Sequence, residues 1–107
     1  MIWEVTYAQS AYRDLDDIYD YIANVLLEPI IAQNQADRIM DKADSLDQMP
    51  LRHREYEHEP WLSRGVRVMP VDNYLVFYLP DETDCSVLIM RIIHSSRDVT
   101  KHLRDGT

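Results

Sequence analysis

VRVMPVDNYLVFYLPDETDCSVLIMRII, residues 66–93, decides the fold. From Val66 to Val71 the side chains repeat with a period of two and are rich in valine, which reads as a strand. Pro70 puts that strand at an edge or a bulge, because proline donates no ladder hydrogen bond. Asp72-Asn73 supplies a tight hairpin turn, since both residues tolerate left-handed backbone. Tyr74 to Leu79 is the next strand and Pro80 to Asp84 a second turn. Ser86 to Ile93 is nearly all apolar, the composition of a strand at a sheet centre.

Upstream the period changes. Ala11, Leu15, Ile18, Ile22 and Val25 are spaced four and three apart, one stripe of an amphipathic helix, with Tyr12, Tyr19 and Tyr21 beside it. Ser10 is a candidate N-cap, and Asp14, Asp16 and Asp17 would complement the positive helix start. Leu26 to Ile30 is a connection, because Pro29 disfavours helix at Glu28. A second stripe, Ala32, Ala36, Ile39, Ala43 and Leu46, ends at Met49-Pro50. Two such helices with a short link form an antiparallel hairpin whose alanines allow close packing. Ile2 to Tyr7 alternates and reads as a short strand. Leu51 to Ser63 has no period and is crowded with charge, a surface loop closed by Pro60-Trp61. From Ser95 the chain turns polar, a short helix or tail carrying Lys101, His102 and Arg104.

The order strand, helix, helix, strand, strand, strand is α+β. The N-terminal strand and a helical hairpin pack with a small, mainly antiparallel sheet, the hairpin on one face. One domain over residues 1–107 accommodates this, without repeat, linker or low-complexity segment.

Composition excludes several classes. The chain has 107 residues with two glycines, so no glycine-rich phosphate loop can be placed. The single Cys85 excludes an intrachain disulfide or a CxxC site. No apolar run nears the ~18 residues of a membrane span, and the start MIWEVTY lacks a basic region followed by an apolar one. A cytoplasmic protein is the expectation.

The formal charge is −8, which argues against nucleic acid, whose binding is driven by neutralising phosphates. The charge is unevenly spread. Residues 1–50 carry ten Asp/Glu against three Lys/Arg, a net of −7. Residues 51–107 carry nine against eight, a net of −1, and hold all four histidines. The sheet half can therefore present a local positive patch.

Read together, several segments resemble the RelE/ParE superfamily of bacterial type II toxin–antitoxin toxins. They are Ala11, Asp14-Leu15, Ile18 and Tyr21-Ile22; Gly65-Val66-Arg67; Asp72-Asn73-Tyr74-Leu75-Val76-Phe77-Tyr78; Val87-Leu88-Ile89-Met90-Arg91-Ile92-Ile93-His94; and Arg97-Asp98. Their order and spacing carry the resemblance, which spans nearly the whole chain. It implies a toxin neutralised by a partner antitoxin, alone as a homodimer or within a toxin–antitoxin hetero-oligomer. The superfamily holds two activities. RelE-like members cleave mRNA in the ribosomal A site, and ParE-like members poison DNA gyrase. A fold does not choose between activities, and a degenerate toxin that only binds its antitoxin is a third reading.

Metal-independent RNA cleavage needs a base near the 2′-hydroxyl, cations for the charge developing on phosphate, and an acid for the leaving oxygen. No cofactor is implied. His94, Arg67 and Arg97 are the candidate catalytic residues, and Arg91, Lys101 and Arg64 the candidate RNA-binding cations. The resemblance sets His94 where some members carry a catalytic histidine and Arg97 where some carry a phosphate-binding arginine. The retained His94 and the basic sheet half lean the reading toward mRNA cleavage. Two departures lean the other way. Leu75 stands where nuclease members commonly carry a catalytic arginine, and their lysine pair is absent from Val66 to Met69.

Each candidate has a structural alternative. Arg67 can pair on the sheet surface, and Arg91 can snorkel or pair with a hairpin carboxylate. His94 can be a hydrogen-bonded strand end, and Arg97-Asp98 a helix-start ion pair. Tyr74 and Tyr78 most simply pack under the hairpin. His53 and His58 are five apart in an irregular loop, a spacing unspecific for metal.

Overall fold

The computed structural model describes residues 2–97. The expected tail with Lys101, His102 and Arg104, and Asp98 with it, lies outside the described residues. Strand β1 (Glu4–Tyr7) leads into helix α1 (Gln9–Asp20), which ends in a π-helical turn, Tyr21–Val25. Helix α2 (Pro29–Asp44) follows, with Pro29 in its first turn, where a missing N–H costs nothing. A short helix α3 (Trp61–Arg64) precedes strands β2 (Arg67–Val71), β3 (Tyr74–Asp81) and β4 (Ser86–His94).

The sheet order is β1-β4-β3-β2. The pairs β2–β3 and β3–β4 are antiparallel, and β1 runs parallel to β4, with Val5 opposite Val87. Proline 70 thus sits on an edge strand, as its missing donor requires. Asp72 makes the β2–β3 turn at positive φ, 54°. Proline 80, expected in the next turn, is instead paired with Val87 inside the sheet, and the turn falls on Glu82–Cys85. A register shift at Phe77/Tyr78 leaves Met90 as the extra residue of a bulge in β4.

The two sheet faces bury different cores. Under the hairpin, Ala11, Leu15, Ile39, Ala43 and Leu46 meet Met69, Val71, Val76, Tyr78, Val87, Ile89 and Ile92. The fully buried alanines let the helices approach the sheet closely. The hairpin is also tied by polar contacts: the Tyr7 hydroxyl donates to Asp44 at 2.7 Å, and Arg38 and Gln35 of α2 both donate to Asp72.

The opposite face corrects one expectation. Residues 51–63 are not only a surface loop. Tyr56 and Trp61 are buried, and with Val66, Val68, Phe77, Met90 and Ile93 they form the second core. The rings of Tyr56, Trp61 and Phe77 meet at 5.1–6.3 Å in edge-on and tilted geometries, the favoured arrangements for aromatic pairs. Gly65, in the left-handed region at φ 81°, ends α3 and turns the chain into β2.

Ser10 is a second correction. The helix starts two residues earlier, with Ala8 as N-cap and no acid in its first turn. Strand β1 ends at Tyr7, opposite Ile89, so among the described residues β4 runs on without a strand partner on that edge. α1 takes the place of the missing strand. The Ala8 N–H donates to the Ile89 carbonyl at 2.8 Å, and the Ser10 hydroxyl to the Met90 carbonyl at 2.8 Å. The Ile92 N–H donates to the Asp14 carboxylate, also at 2.8 Å. Ser10 and Asp14, one turn apart, therefore satisfy β4 backbone groups that a buried edge would otherwise orphan.

Candidate functional site

The helical hairpin and the Tyr74–His94 end of the sheet enclose an open cleft of about 820 Å³. Its floor is the end of β4, its hairpin wall carries Ile22, Leu26 and Ile31, and Arg97 and Ser96 stand at the rim. Asn73 holds the rim by accepting the Ser95 N–H at 2.8 Å, and the His94 carbonyl accepts the Arg97 N–H at 3.0 Å. Of the sequence-derived candidates, His94, Arg97 and Arg91 come together here.

Their freedom differs sharply. The Arg91 guanidinium grips Asp14 with two hydrogen bonds of 2.8 and 3.1 Å, and the two side chains are only 12% and 13% exposed. This is a bidentate, largely desolvated ion pair that fastens α1 to β4. Asp14 takes two of the five guanidinium N–H donors and offsets the charge, so the pair offers an incoming phosphate little net attraction.

His94 is oriented by its neighbours. The Ser96 N–H lies 3.1 Å from Nδ1 and the Ser96 hydroxyl 2.7 Å, while the Tyr74 ring meets the imidazole edge-on at 5.2 Å. A backbone N–H can only donate, so Nδ1 is the acceptor and the neutral ring carries its hydrogen on Nε2. The ring nitrogen left for a ligand is then a donor and not a general base. Burial pushes the Tyr74 hydroxyl upward in pKa, and the nearby Arg97 charge opposes that shift. Arg97 is exposed beside this pair.

Arg67 lies elsewhere. It pairs with Tyr78, four residues along β2 from Val71, which is level with Tyr74 and His94. At ~3.3 Å per residue that is roughly 13 Å along the strands. Its guanidinium donates to the carbonyls of His53 at 2.6 Å and Leu51 at 3.4 Å, holding the loop after α2 against the sheet. Tyr78 joins it there: the buried hydroxyl donates to the Pro50 carbonyl at 2.6 Å, and burial pushes its pKa up to about 12. Arg64 is exposed at the end of α3, the helix that covers the opposite sheet face. Lys101 lies outside the described residues. Leu75 packs against the second core.

The histidines weighed for metal both sit against aromatic rings, His53 edge-on to Tyr78 and His58 to Tyr56. Burial, then the charge of Arg52, lowers the His53 pKa. Among the described residues no three His, Cys, Asp or Glu side chains converge on a common point. No described helix is long and apolar enough to cross a membrane.

The sequence offers Arg91 a hairpin carboxylate without saying which one, and the hairpin tip is not among its candidates. Asp14 was one of four aspartates over seven residues, and only the edge of β4 singles it out. The tip did leave a signal, since Val25-Leu26-Leu27 and Ile30-Ile31 put five bulky apolar residues across a turn.

Known structures share this architecture. A chain of the chromosomal ParDE toxin–antitoxin system from P. aeruginosa superposes with a TM-score of 0.71 at 23% identity, covering 87% of this chain and 96% of that one. A chain of a RelBE toxin–antitoxin complex from Mycobacterium tuberculosis gives 0.64 at 22% identity, covering 88% and 99%. One of the archaeal RelE–RelB complex from Pyrococcus horikoshii gives 0.64 at 13%, covering 92% and 100%. At these identities the likeness is one of fold. No curated protein matches the chain. The family model described as the ParE toxin of the type II toxin–antitoxin system, parDE, matches residues 5–99. With that match over most of its length, on the fold just described, the chain belongs to the ParE toxin family, within the RelE/ParE superfamily of type II toxin–antitoxin toxins.

Proposed function

We propose that this protein is the growth-inhibiting member of a toxin–antitoxin pair and acts as a ParE-like poison of DNA gyrase, through protein–protein contact. The observation that carries the reading is how the sheet's arginines are employed. Arg91 is held by Asp14, Arg67 by the carbonyls of Leu51 and His53, and Leu75 packs against the second core. Phosphoryl-transfer chemistry on RNA needs uncommitted cations converging on one phosphate. Here Arg67 is roughly 13 Å along the sheet from the His94 level. The family match points the same way.

On this reading the antitoxin covers the cleft. An amphipathic segment is suited to it, with apolar side chains against Ile22, Leu26 and Ile31 and a carboxylate reaching Arg97 at the rim. His94 contributes its Nε2 hydrogen as a donor. The acidic helical half, net −7 over residues 1–50, repels mRNA and suits contact with protein.

The test is translation in a cell-free extract with ribosomes, followed by mapping of mRNA ends. The expected result is intact mRNA with wild-type protein and with His94→Ala alike. Codon-positioned cleavage that disappears in His94→Ala would overturn the proposal in favour of RelE-like activity.

A further inference from the structure

The tip of the helical hairpin has a composition and backbone that the fold itself does not require. Tyr21, Val25, Leu26, Leu27, Ile30 and Ile31 are all more than half exposed, with Leu27 at 76% and Ile30 at 77%. Scattered exposed apolar residues are ordinary, but six within eleven positions form a patch of the kind that marks an interaction site. The backbone is unusual in the same place. α1 ends in the π-helical turn Tyr21–Val25, a rare conformation that recurs at functional sites. Leu27 then adopts φ 57°, a left-handed conformation that leucine rarely takes. The Leu26 and Glu28 N–H groups are held by the carbonyls of Tyr21 and Ile22, so the tip is a defined surface.

Its electrostatic frame selects the occupant. From Asp14 to Asp37 the chain carries six carboxylates and no Lys, Arg or His. Asp16, Asp17, Asp20 and Glu28 around the tip are exposed. A second copy would bring like charge against like. A membrane with anionic headgroups would be repelled in the same way. A cationic protein partner would be attracted.

We propose that the hairpin tip is a docking surface for an amphipathic helix of a partner protein, one whose apolar ridge is flanked by Lys and Arg. The inference rests on the reading of the chain as a toxin that acts by protein contact, and it locates that contact on the tip. Apolar side chains of the helix cover Val25, Leu27 and Ile30, which lie outside the cleft, and its flanking cations face Asp16, Asp20 and Glu28. Apolar burial supplies the affinity, and charge complementarity the choice of partner.

The test uses the whole chain and two synthetic 18-residue helical peptides, both with leucine on one face. One carries lysine on the flanks and the other glutamate. In an NMR titration the lysine peptide is expected to shift the amide resonances of residues 21–31 and to bind at least ten-fold more tightly than the glutamate peptide. Leu27→Asn with Ile30→Ser is expected to weaken that binding at least ten-fold while leaving the thermal melt in place, since asparagine tolerates the left-handed backbone. Equal affinity for the two peptides would overturn the proposal, as would shifts elsewhere on the chain. So would a concentration-dependent dimer in sedimentation that the double variant abolishes, because the occupant would then be a second copy. The gyrase reading is scored separately in a DNA-cleavage reaction. If wild type traps gyrase and the double variant traps it equally, the docking surface fails and the gyrase reading stands. If wild type traps nothing, the gyrase reading fails and the peptide titration alone decides the surface.

Discussion

Asp14 fastens α1 to β4 through a largely buried carboxylate. It accepts two hydrogen bonds from Arg91 and one from the Ile92 N–H. Removing one partner of a largely buried ion pair strands the other, so Asp14→Ala is expected to cost about 3–5 kcal/mol in urea unfolding. The paired change Asp14→Leu with Arg91→Met removes both charges and recovers most of that loss. What it cannot recover is the Ile92 N–H, worth about 1–3 kcal/mol when left unsatisfied. If the paired variant is no more stable than Asp14→Ala, the ion pair is not what Asp14 supplies. Asp72 gives a pH-dependent counterpart. Hydrogen bonds from Arg38, and after it from Gln35, hold its carboxyl at about 2, below its ordinary 3.8. A depressed folded pKa stabilises the fold fully above the unfolded value and loses that contribution as pH falls through the folded one. Wild type should therefore exceed Asp72→Asn in stability near neutral pH. The gap should narrow as pH falls below 3.8 and close below about 2. Both side chains of the pair are partly exposed, so about 1 M salt should shrink the gap as well.

At the scale of elements, the segment between α2 and β2 is the part whose importance only the structure reveals. Trp61 is fully buried against Phe77 and Tyr56, and its indole nitrogen has no hydrogen-bond partner among the described residues. Its role is therefore packing. Trp61→Ala is expected to cost about 3–5 kcal/mol in denaturant unfolding, and Trp61→Phe distinctly less, because no hydrogen bond is lost with the indole. Equal losses would mean that the nitrogen matters. Tyr78→Phe should cost about 1 kcal/mol by releasing the Pro50 carbonyl that its hydroxyl reaches. The elements that sequence periodicity revealed are those with one face in a core. The stripe Ala11, Leu15, Ile18, Ile22 announces α1, and the run Ser86 to Ile93 announces an inner strand buried on both faces. The second core left no such trace. Tyr56 and Trp61 are five apart in an aperiodic, charged stretch, and two anchors separated by irregular backbone have no repeat to detect. The candidate site was legible as a list of residues more than as a place. His94 and Arg97 meet in the cleft, while Arg67 looks like their partner in one dimension and lies elsewhere along the sheet in three. Nothing in the sequence said which aspartate would hold Arg91.

For the whole molecule, the balance of charge and the division of faces set what it can engage. The hairpin is acidic and ends in an apolar tip. The sheet half is near neutral, and its two strand arginines, Arg67 and Arg91, are engaged within the fold. On the proposed reading such a body engages another protein rather than a phosphate backbone. The same view gives the salt dependence of partner binding. Attraction between the acidic hairpin and a cationic partner should speed association at low ionic strength, and that gain should fall as salt is added. A complex whose association rate ignores salt would contradict that electrostatic picture. Action on gyrase by contact is tested by incubating purified gyrase, supercoiled plasmid and ATP with this protein. Linear DNA is then counted after detergent and protease treatment. Linear DNA is expected to rise with protein concentration and to be suppressed by the cognate antitoxin. Unbroken plasmid at every protein concentration would contradict it.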